Sequence, residues 1–384
     1  MATAAQRKLK SISYARYGYY FILPFFIVYF VFQMWPLINT FVVSTTGNIH
    51  QQMGRNGSGV TAEEATFEKY VGLNNFEILL FGNSSYEGAG PEDAGVRGEN
   101  NLADTHSTVF FRDLKTTLIL WVGNFIPQIL LSLLLAVWFT DAKLKIAGKG
   151  FFKVVMYMPN IITAASVAAL YLKLFADSAD MVGPVNDLLQ KTHIVDEGEV
   201  IKFVDPNAGS GGVNPSPLYM VMFIQCWMWF GNTMLMLMSG IMGINGSLFE
   251  AADVDGANSW QTFTKITLPL LRPIMLYTLV TSMIGGLQMF DIPFIYHAGS
   301  YNNPDLETIA IYILKYYDSN GFNSRAGLSG AASVLLFIIT SILGAIAFYI
   351  NRDKDAIAKR KQIKKLIKQK KSKQTKGFQR MGEV

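Results

Sequence analysis

Residues 250–273 read EAADVDGANSWQTFTKITLPLLRP, and this stretch separates two long apolar runs. It opens on Glu-Ala-Ala, whose first residue is Glu250, reaches Gly256 soon afterwards, and ends on Ile-Thr-Leu-Pro, whose proline is Pro269. The segment is polar and rich in small residues, unlike the sequence on either side of it. This contrast predicts a short folded loop between two hydrophobic helices.

The two flanking runs belong to a set of six. A helix needs roughly 20 apolar residues to cross about 30 Å of hydrocarbon, and runs of that kind occupy 18–43, 116–140, 152–175, 218–243, 274–296 and 328–350. The chain is 51% hydrophobic and 16% charged, whereas soluble domains average about 25% charged residues. Because backbone groups in lipid must be paired internally, the sequence predicts an all-α integral membrane protein with six transmembrane helices.

The basic residues lie mostly on one side of this predicted bundle. An even number of spans leaves both termini on the same side, which carries 23 of the 33 Lys and Arg residues, 13 of them in the tail 351–384. Since positively charged loops stay in the cytoplasm, the termini and the loop 244–273 are predicted to be cytoplasmic. The net charge of +5 then reflects topology and attraction to anionic lipid headgroups, and predicts no nucleic-acid binding.

These features divide the chain into four parts. Residues 1–43 are predicted to hold a cytoplasmic N-terminus and the first span, and 44–115 a large extracytoplasmic loop. Residues 116–350 form a core of five spans, and 351–384 form a basic cytoplasmic tail. The outer loops are either solvated connections or a docking platform for an external partner. The tail is interpreted as a solvated helical extension of the last span.

The loop 244–273 has the pattern of a helix–turn–helix. The sequence from Leu248 to Val254 is compatible with a helix, and Gly256 permits a turn that a side chain would hinder. An amphipathic stretch with aromatic residues follows, and prolines then set the beginning of the fifth span. Such a rigid unit would transmit a movement of a soluble domain to the two transmembrane helices that it connects.

The Glu-Ala-Ala tripeptide, the following glycine and the closing Ile-x-Leu-Pro resemble the "EAA" loop of permease subunits of binding-protein-dependent ABC importers. Among these, the chain is most similar to the carbohydrate-uptake branch, over approximately residues 112–350. The resemblance implies the type I ABC importer permease fold in a bacterial inner membrane. The alternative interpretation of the loop is an ordinary amphipathic segment at the membrane interface.

The resemblance also implies partners. In that family the short helix around the motif sits in a groove of the ATPase subunit, which makes the expected coupling contacts Glu250, Ala251, Ala252, Asp253 and Gly256. The expected assembly contains a second permease subunit, two ATPase subunits and an extracytoplasmic solute-binding protein that delivers a sugar or oligosaccharide. Because the chain has no Gly-x-x-x-x-Gly-Lys-Ser/Thr segment, ATP hydrolysis is expected on a separate polypeptide.

The pattern of ionisable residues favours no chemistry within this chain. The four histidines are scattered without metal-ligand spacing, and no nucleophile–base arrangement stands out. We therefore predict no catalytic residue, metal or cofactor, which disfavours a membrane enzyme. The remaining alternative is a stand-alone secondary carrier or channel for a neutral solute. Proton- or sodium-coupled carriers need several buried ionisable groups, and Asp291 is the one carboxylate within a predicted span.

Polar residues within two spans mark a candidate solute site. Gln225, Trp229 and Asn232 form one stripe of the fourth span, and Gln288 and Asp291 are predicted to share a face of the fifth. Gln225 and Gln288 lie roughly 11 Å below the outer ends of their helices, so the two sets would meet across a cavity. Two alternatives remain open. Amides in membrane helices often bond neighbouring helices, and the tryptophan would also suit the outer aromatic belt.

Overall fold

The computed structural model describes residues 4–46, 70–82, 102–141, 144, 147–178, 181–196, 200–204, 217–299, 304–317, 326–350 and 363. The predicted tail 351–384, apart from Ile363, lies outside these residues, as do 47–69 and 83–101 of the predicted loop 44–115. Within the described ranges the regular secondary structure is helical except for one hairpin of two short strands, and an isolated β-bridge joins Thr46 to Tyr70.

The helices and strands follow in chain order. The α-helices are α1 Ala4–Tyr29, α2 Trp35–Val43, α3 Asn74–Phe81, α4 Leu102–Thr140, α5 Lys149–Tyr157, α6 Ala164–Leu174, α7 Pro184–Lys191, α8 Pro217–Met242, α9 Gly246–Val254, α10 Ser259–Thr262, α11 Leu268–Leu287, α12 Asp291–Gly299, α13 Ile309–Tyr317 and α14 Ala326–Ile350. The antiparallel strands are β1 Asp177–Ser178 and β2 Met181–Val182. The shorter turns are π-helical at Phe30–Met34 and Phe263–Thr267 and 3₁₀ at Met158–Ile161 and Pro304–Leu306.

The prediction of six membrane-spanning segments is confirmed, with one of them broken. Among the described residues, five helical segments are long and apolar enough to span a membrane, and a bent pair makes the sixth when it is counted as one span. The predicted third span, 152–175, bends by 95° between α5 and α6. The bend follows Pro159, and the Thr163 hydroxyl then accepts a hydrogen bond from the Ser166 N–H at 3.3 Å to begin α6.

In two long spans a π-helical turn precedes a proline and allows the helix to continue past it. The turn Phe30–Met34 precedes Pro36, and the turn Phe263–Thr267 precedes Pro269. A proline has no N–H, and its ring clashes with the carbonyl four residues earlier. Since that carbonyl falls inside the widened turn in both cases, the backbone continues as one helix instead of breaking.

Helix α4 begins earlier than the predicted start of the second span at 116. It has 39 residues and is about 58 Å long at 1.5 Å per residue, so it extends beyond the hydrocarbon. Its first turns are polar, which is why hydropathy assigned them to a loop. Asp113 and Thr117 in this part are fully buried. Asp113 pairs with Arg112, which reaches Glu307 just before α13, and Thr117 accepts a hydrogen bond from the N–H of Ile309, the first residue of α13.

Three apolar clusters hold the bundle together: α4 contributes to all three, and α8, the most buried of the described spans, contributes to two. One cluster joins α4, α6, α8 and α12, and includes Ile224 and Tyr296. A second joins α3, α4, α11, α13 and α14 around Phe110 and Tyr312. The third joins α4, α8 and α11. The first span, in contrast, buries none of its apolar window within this chain, and it packs through α2 against α14.

Gly231 of α8 lies against the backbone of the broken third span. A Cβ at this position would lie 2.0 Å from the Met156 carbonyl oxygen. Backbone that close leaves no room for a methyl group, so a glycine is required at this crossing.

We expect Gly231→Ala to destabilise the protein by about 1–3 kcal/mol, because it forces two backbones apart in a close-packed region. Gly344→Ala is the matched control, since its Cβ would meet Met283 Cε at an ordinary 3.7 Å. Thermal denaturation in detergent, followed by size-exclusion chromatography, measures both. Equal midpoints for the two variants would contradict the close crossing of α8 and α5.

Candidate functional site

The loop after α8 folds into a compact elbow, which we define as residues 246–267. Helix α9 begins at Gly246, where the Asn245 side chain accepts a hydrogen bond from the Ser247 N–H at 3.1 Å. The elbow then turns at Gly256 and continues through α10 into α11. The predicted helix–turn–helix is therefore present, and its second helix runs without interruption into the fifth span.

Backbone and side-chain caps fix the turn of the elbow. Gly256 adopts φ +72°, its N–H donates to the Asp253 carbonyl at 3.1 Å, and the Ala257 N–H donates to the Ala252 carbonyl at 2.9 Å. This pair of bonds is a Schellman motif. A capping box follows at once, since Asn258 Oδ1 accepts from the Gln261 N–H at 2.8 Å and Gln261 Oε1 accepts from the Asn258 N–H at 2.9 Å. These hydrogen bonds thus fix the angle between the two short helices, α9 and α10.

The five predicted coupling residues divide into an inward and an outward set. Ala252 is buried, at 6% exposure. Glu250, Ala251, Asp253 and Gly256 are exposed on the elbow. A hollow of approximately 660 Å³ lies between the elbow and the adjoining ends of α4 and α8, and its wall includes Glu250, Asp253 and Asp141.

A polar cavity of approximately 380 Å³ lies between α4, α8, α11 and the segment that follows α11. All five predicted solute-binding residues line it: Gln225, Trp229, Asn232, Gln288 and Asp291. Gln225 is buried, at 8% exposure, whereas Trp229 is 46% exposed. The structure thus brings both predicted sets to one place, although contact with a solute remains a prediction.

The fifth span differs from the prediction at this cavity. Helix α11 ends at Leu287 and α12 begins at Asp291, so Gln288 and Asp291 do not share a face of one helix. They flank a non-helical break instead, and both still face the cavity. Irregular backbone is tolerated at membrane depth where it lines a cavity or is buried in protein.

Sequence reasoning missed a row of hydroxyl groups on α11. Tyr277, Thr278, Thr281 and Ser282 line the cavity, at the i, i+4 spacing that places residues on one helical face. The Thr278 hydroxyl donates to the Ile274 carbonyl at 2.9 Å, and the Thr281 hydroxyl donates to the Tyr277 carbonyl at 2.9 Å. The signal was present in the sequence as polar residues recurring within an apolar run.

Helix α4 contributes two amides to the same cavity. Gln128 Nε2 donates to Thr233 Oγ1 at 2.8 Å, which ties α4 to α8. Asn124 Nδ2 donates to the Leu120 carbonyl of its own helix at 2.8 Å. Amide groups therefore serve both helix packing and the cavity wall.

The charge of the cavity comes from one group. Among its lining residues in the described part of the chain, Asp291 is the one acidic side chain and no Lys, Arg or His is present. Asp291 begins α12, where the positive end of the helix dipole favours a carboxylate. Such a lining suits a neutral solute with many hydroxyl groups better than an anion.

A larger hollow of approximately 1190 Å³ lies between the first span, α11, α13 and α14. Aliphatic and small residues such as Val43, Ile284, Leu336 and Gly344 make up most of its wall. This chemistry suits acyl chains or another helix, so the smaller polar cavity is the better candidate for a hydrophilic solute.

We expect Gly256→Ala to loosen the elbow, since an L-residue with positive φ costs about 1–2 kcal/mol. No neighbouring atom lies within 4 Å of the added Cβ, so backbone strain alone is responsible. Gly256→Asn should be milder, because Asn tolerates this conformation. Hydrogen–deuterium exchange of the elbow amides is the measurement, and unchanged exchange in the alanine variant would refute the argument.

Comparison with known proteins agrees with this architecture. Residues 116–354 match the family described as "Binding-protein-dependent transport system inner membrane component". The lactose transport system permease protein LacF of Rhizobium radiobacter is 24% identical over 92% of this chain and 100% of that protein. The arabinooligosaccharides transport system permease protein AraP of Bacillus subtilis (strain 168) is 23% identical over 87% and 88%.

Solved structures show the same fold. A chain of a bacterial ABC transporter involved in import of the acidic polysaccharide alginate has a TM-score of 0.62 and 20% identity, covering 90% of this chain and 98% of that chain. A second structure, of the alginate transporter in complex with an alginate pentasaccharide-bound periplasmic protein, has a TM-score of 0.62 and 21% identity, covering 89% and 96%. The predicted ABC importer permease fold is therefore confirmed. Since the family match spans more than half of the sequence, this chain belongs to the inner membrane components of binding-protein-dependent transport systems.

Proposed function

We propose that this chain is the permease subunit of an ATP-driven importer of a neutral sugar or oligosaccharide. One observation carries the proposal: both helices that meet at the elbow also line the polar cavity. Helix α8 contributes Gln225 and Asn232 and ends just before the elbow, whereas α11 leaves the elbow and contributes Tyr277 and Thr281. A displacement of the elbow therefore moves two walls of the cavity.

Close packing near the elbow supports transmission of force. A Cβ at Gly240 of α8 would lie 2.3 Å from Ile274 Cδ1 and 2.7 Å from Leu271 Cδ2 of α11. Helices in such contact shift as one unit, since packed interiors are not continuously deformable. In the proposed mechanism, closure of the motor pushes the elbow, and the cavity opens alternately to the two sides of the membrane.

The motor is proposed to be a pair of ATPase subunits on separate chains. The exposed Glu250 and Ala251 provide the contact surface, and the sequence lacks a phosphate-cradling loop of its own. The distribution of Lys and Arg supports a cytoplasmic elbow and cytoplasmic termini. The membrane is then the bacterial cytoplasmic membrane, as the family description indicates.

Two further partners complete the proposed assembly. Trp229 and Asp291 line the cavity and yet are exposed in the isolated chain, which supports closure of the cavity by a second permease subunit. A solute-binding protein on the outer face would deliver the solute, as the description of the family as binding-protein-dependent suggests.

The cavity chemistry and the relatives support a carbohydrate. Amides and hydroxyls bind sugar hydroxyls, and aromatic faces such as Trp229 and Phe290 pack against sugar rings. The relatives described above are named for lactose and arabinooligosaccharides. The absence of a cation among the described lining residues favours a neutral saccharide over an acidic one. The solute is best identified by mass spectrometry of the ligand carried by the co-purified binding protein.

Glu250→Lys should abolish ATP-dependent uptake and attachment of the ATPase, because it reverses the charge of the elbow surface. Glu250→Asp keeps the carboxylate and should retain most of both. Co-purification of the ATPase and uptake into proteoliposomes are the measurements. A correctly inserted Glu250→Lys protein with normal attachment and uptake would rule out the proposed coupling surface.

Gln225→Leu preserves volume but removes an amide from the cavity wall. We expect about tenfold less uptake at limiting solute, equivalent to roughly 1.4 kcal/mol, the scale of one lost polar contact. The control is Ser239→Ala on the same helix, whose hydroxyl donates to the Leu235 carbonyl at 2.9 Å outside the cavity. Equal uptake by both variants would remove Gln225 from the proposed site.

A further inference from the structure

Three consecutive buried residues, Glu307, Thr308 and Ile309, make polar contacts in three directions. Glu307 and Thr308 connect the 3₁₀ turn Pro304–Leu306 to helix α13, and Ile309 is the first residue of that helix. The Glu307 carboxylate accepts hydrogen bonds from the Arg112 guanidinium of α4 and, at 2.7 Å, from Lys315 Nζ of α13. Since Glu307 is only 4% exposed, these cations fix its position.

The arginine is itself held in one orientation. Arg112 Nε donates to Asp113 Oδ1 at 3.0 Å while its Nη2 reaches Glu307. A planar guanidinium that binds two carboxylates through different nitrogens has little freedom to rotate. The residue next to Thr308 is therefore anchored to the outer part of α4.

A neighbouring backbone contact reinforces the anchor. The Ile309 N–H donates to Thr117 Oγ1 at 3.0 Å, and that hydroxyl donates to the Asp113 carbonyl at 2.7 Å. Glu307 and Ile309, on either side of Thr308, are thus both bound to α4. Thr308 sits between two fixed points.

The Thr308 hydroxyl is directed at the break between α11 and α12. Its Oγ1 donates to the Met289 carbonyl at 3.1 Å and accepts from the Ile311 N–H at 3.4 Å. Met289 is buried, and because it lies in the non-helical break its carbonyl is outside the hydrogen-bond ladder of α11. The hydroxyl supplies the partner that this carbonyl needs in a water-poor environment.

The break held by this bond carries part of the cavity wall. Gln288, Met289, Phe290 and Asp291 all line the polar cavity. The bond from Thr308 ties the break to a residue that lies 19 positions away in the sequence and is itself fixed to α4. The placement of Gln288 and Asp291 therefore depends on where this bond holds the Met289 backbone.

We propose that Thr308, anchored through Glu307 and Arg112, is a positioning residue that sets the cavity-lining break and hence the placement of Gln288 and Asp291. The inference rests on the proposed function only in treating these two residues as solute-facing. The competing explanation is that the Thr308 hydroxyl stabilises the whole fold without a specific effect on the break.

Cysteine accessibility at two positions separates these explanations. The native Cys226 is first replaced by Ala, and a single cysteine is then introduced as Gln288→Cys at the break or Asn232→Cys on α8. The full-length chain, in lipid nanodiscs with its co-purifying subunits, is treated with a positively charged methanethiosulfonate reagent. The rate of modification is compared among the native chain, Thr308→Val and Thr308→Ser.

Thr308→Val keeps the shape of the side chain but removes the hydroxyl, whereas Thr308→Ser retains it. We expect Thr308→Val to raise the modification rate at Gln288→Cys by about threefold to tenfold, the range for loss of one hydrogen bond. The rate at Asn232→Cys should stay unchanged, and Thr308→Ser should restore the native rate at the break. An unchanged rate at Gln288→Cys, or an equal rise at both cysteines, would overturn the proposal.

Arg112→Lys provides a second variant if Thr308→Val cannot be purified. It retains the positive charge but loses the fork that binds Asp113 and Glu307 together, so a smaller rise confined to Gln288→Cys is expected. A rise at both positions, or at neither, would again contradict the proposal. Because accessibility requires no transport, a positive result with no saccharide uptake by the native complex would refute the proposed function and leave the positioning role intact.

Discussion

The need of every backbone polar group for a hydrogen-bond partner in lipid is the constraint that shapes this structure. Continuous helices meet it most simply, and this chain departs from them in the middle of two spans. At the first break, after Ile162, the Thr163 hydroxyl accepts a hydrogen bond from the Ser166 N–H and caps the start of α6. At the second break the Thr308 hydroxyl donates a hydrogen bond to the Met289 carbonyl. The polar cavity touches both places, through Ala164 and through Gln288 to Asp291. A hydrophilic site within a hydrocarbon slab is thus formed where the helices are interrupted.

In the elbow, the backbone polar groups at the helix ends find their hydrogen-bond partners through capping motifs. Helix α9 has nine residues and α10 has four, and helices so short do not hold together alone. The Schellman motif and the capping box pair the groups that their ends would leave unsatisfied. Because α10 continues through a π-helical turn into α11, the rigid elbow is directly connected to the wall of the cavity that α11 forms.

Much of this arrangement was predictable from local sequence, and the rest depends on contacts between distant residues. Hydropathy located six spans, and the stripe of Gln225, Trp229 and Asn232 pointed to the cavity. The beginning of α4 was missed because a charged residue such as Asp113 is typical of a loop. Its burial depends on Arg112, which pairs with Asp113 and also with Glu307, 195 positions away from the arginine in the sequence. The break after Leu287 was missed for a related reason, since the group that compensates it lies in a segment that hydropathy assigned to an outer loop.

The hydrogen-bonding pattern of the cavity also bears on what it can hold. Thr278 and Thr281 donate their protons to backbone carbonyls of α11, so their oxygens keep lone pairs for the proposed solute. The amides of Gln225 and Asn232 bring both donors and acceptors. A sugar hydroxyl donates one hydrogen bond and accepts others, and therefore matches both kinds of group at once. In the proposed function each such contact would exchange with water at small net gain, so that a solute could be held in transit and then released.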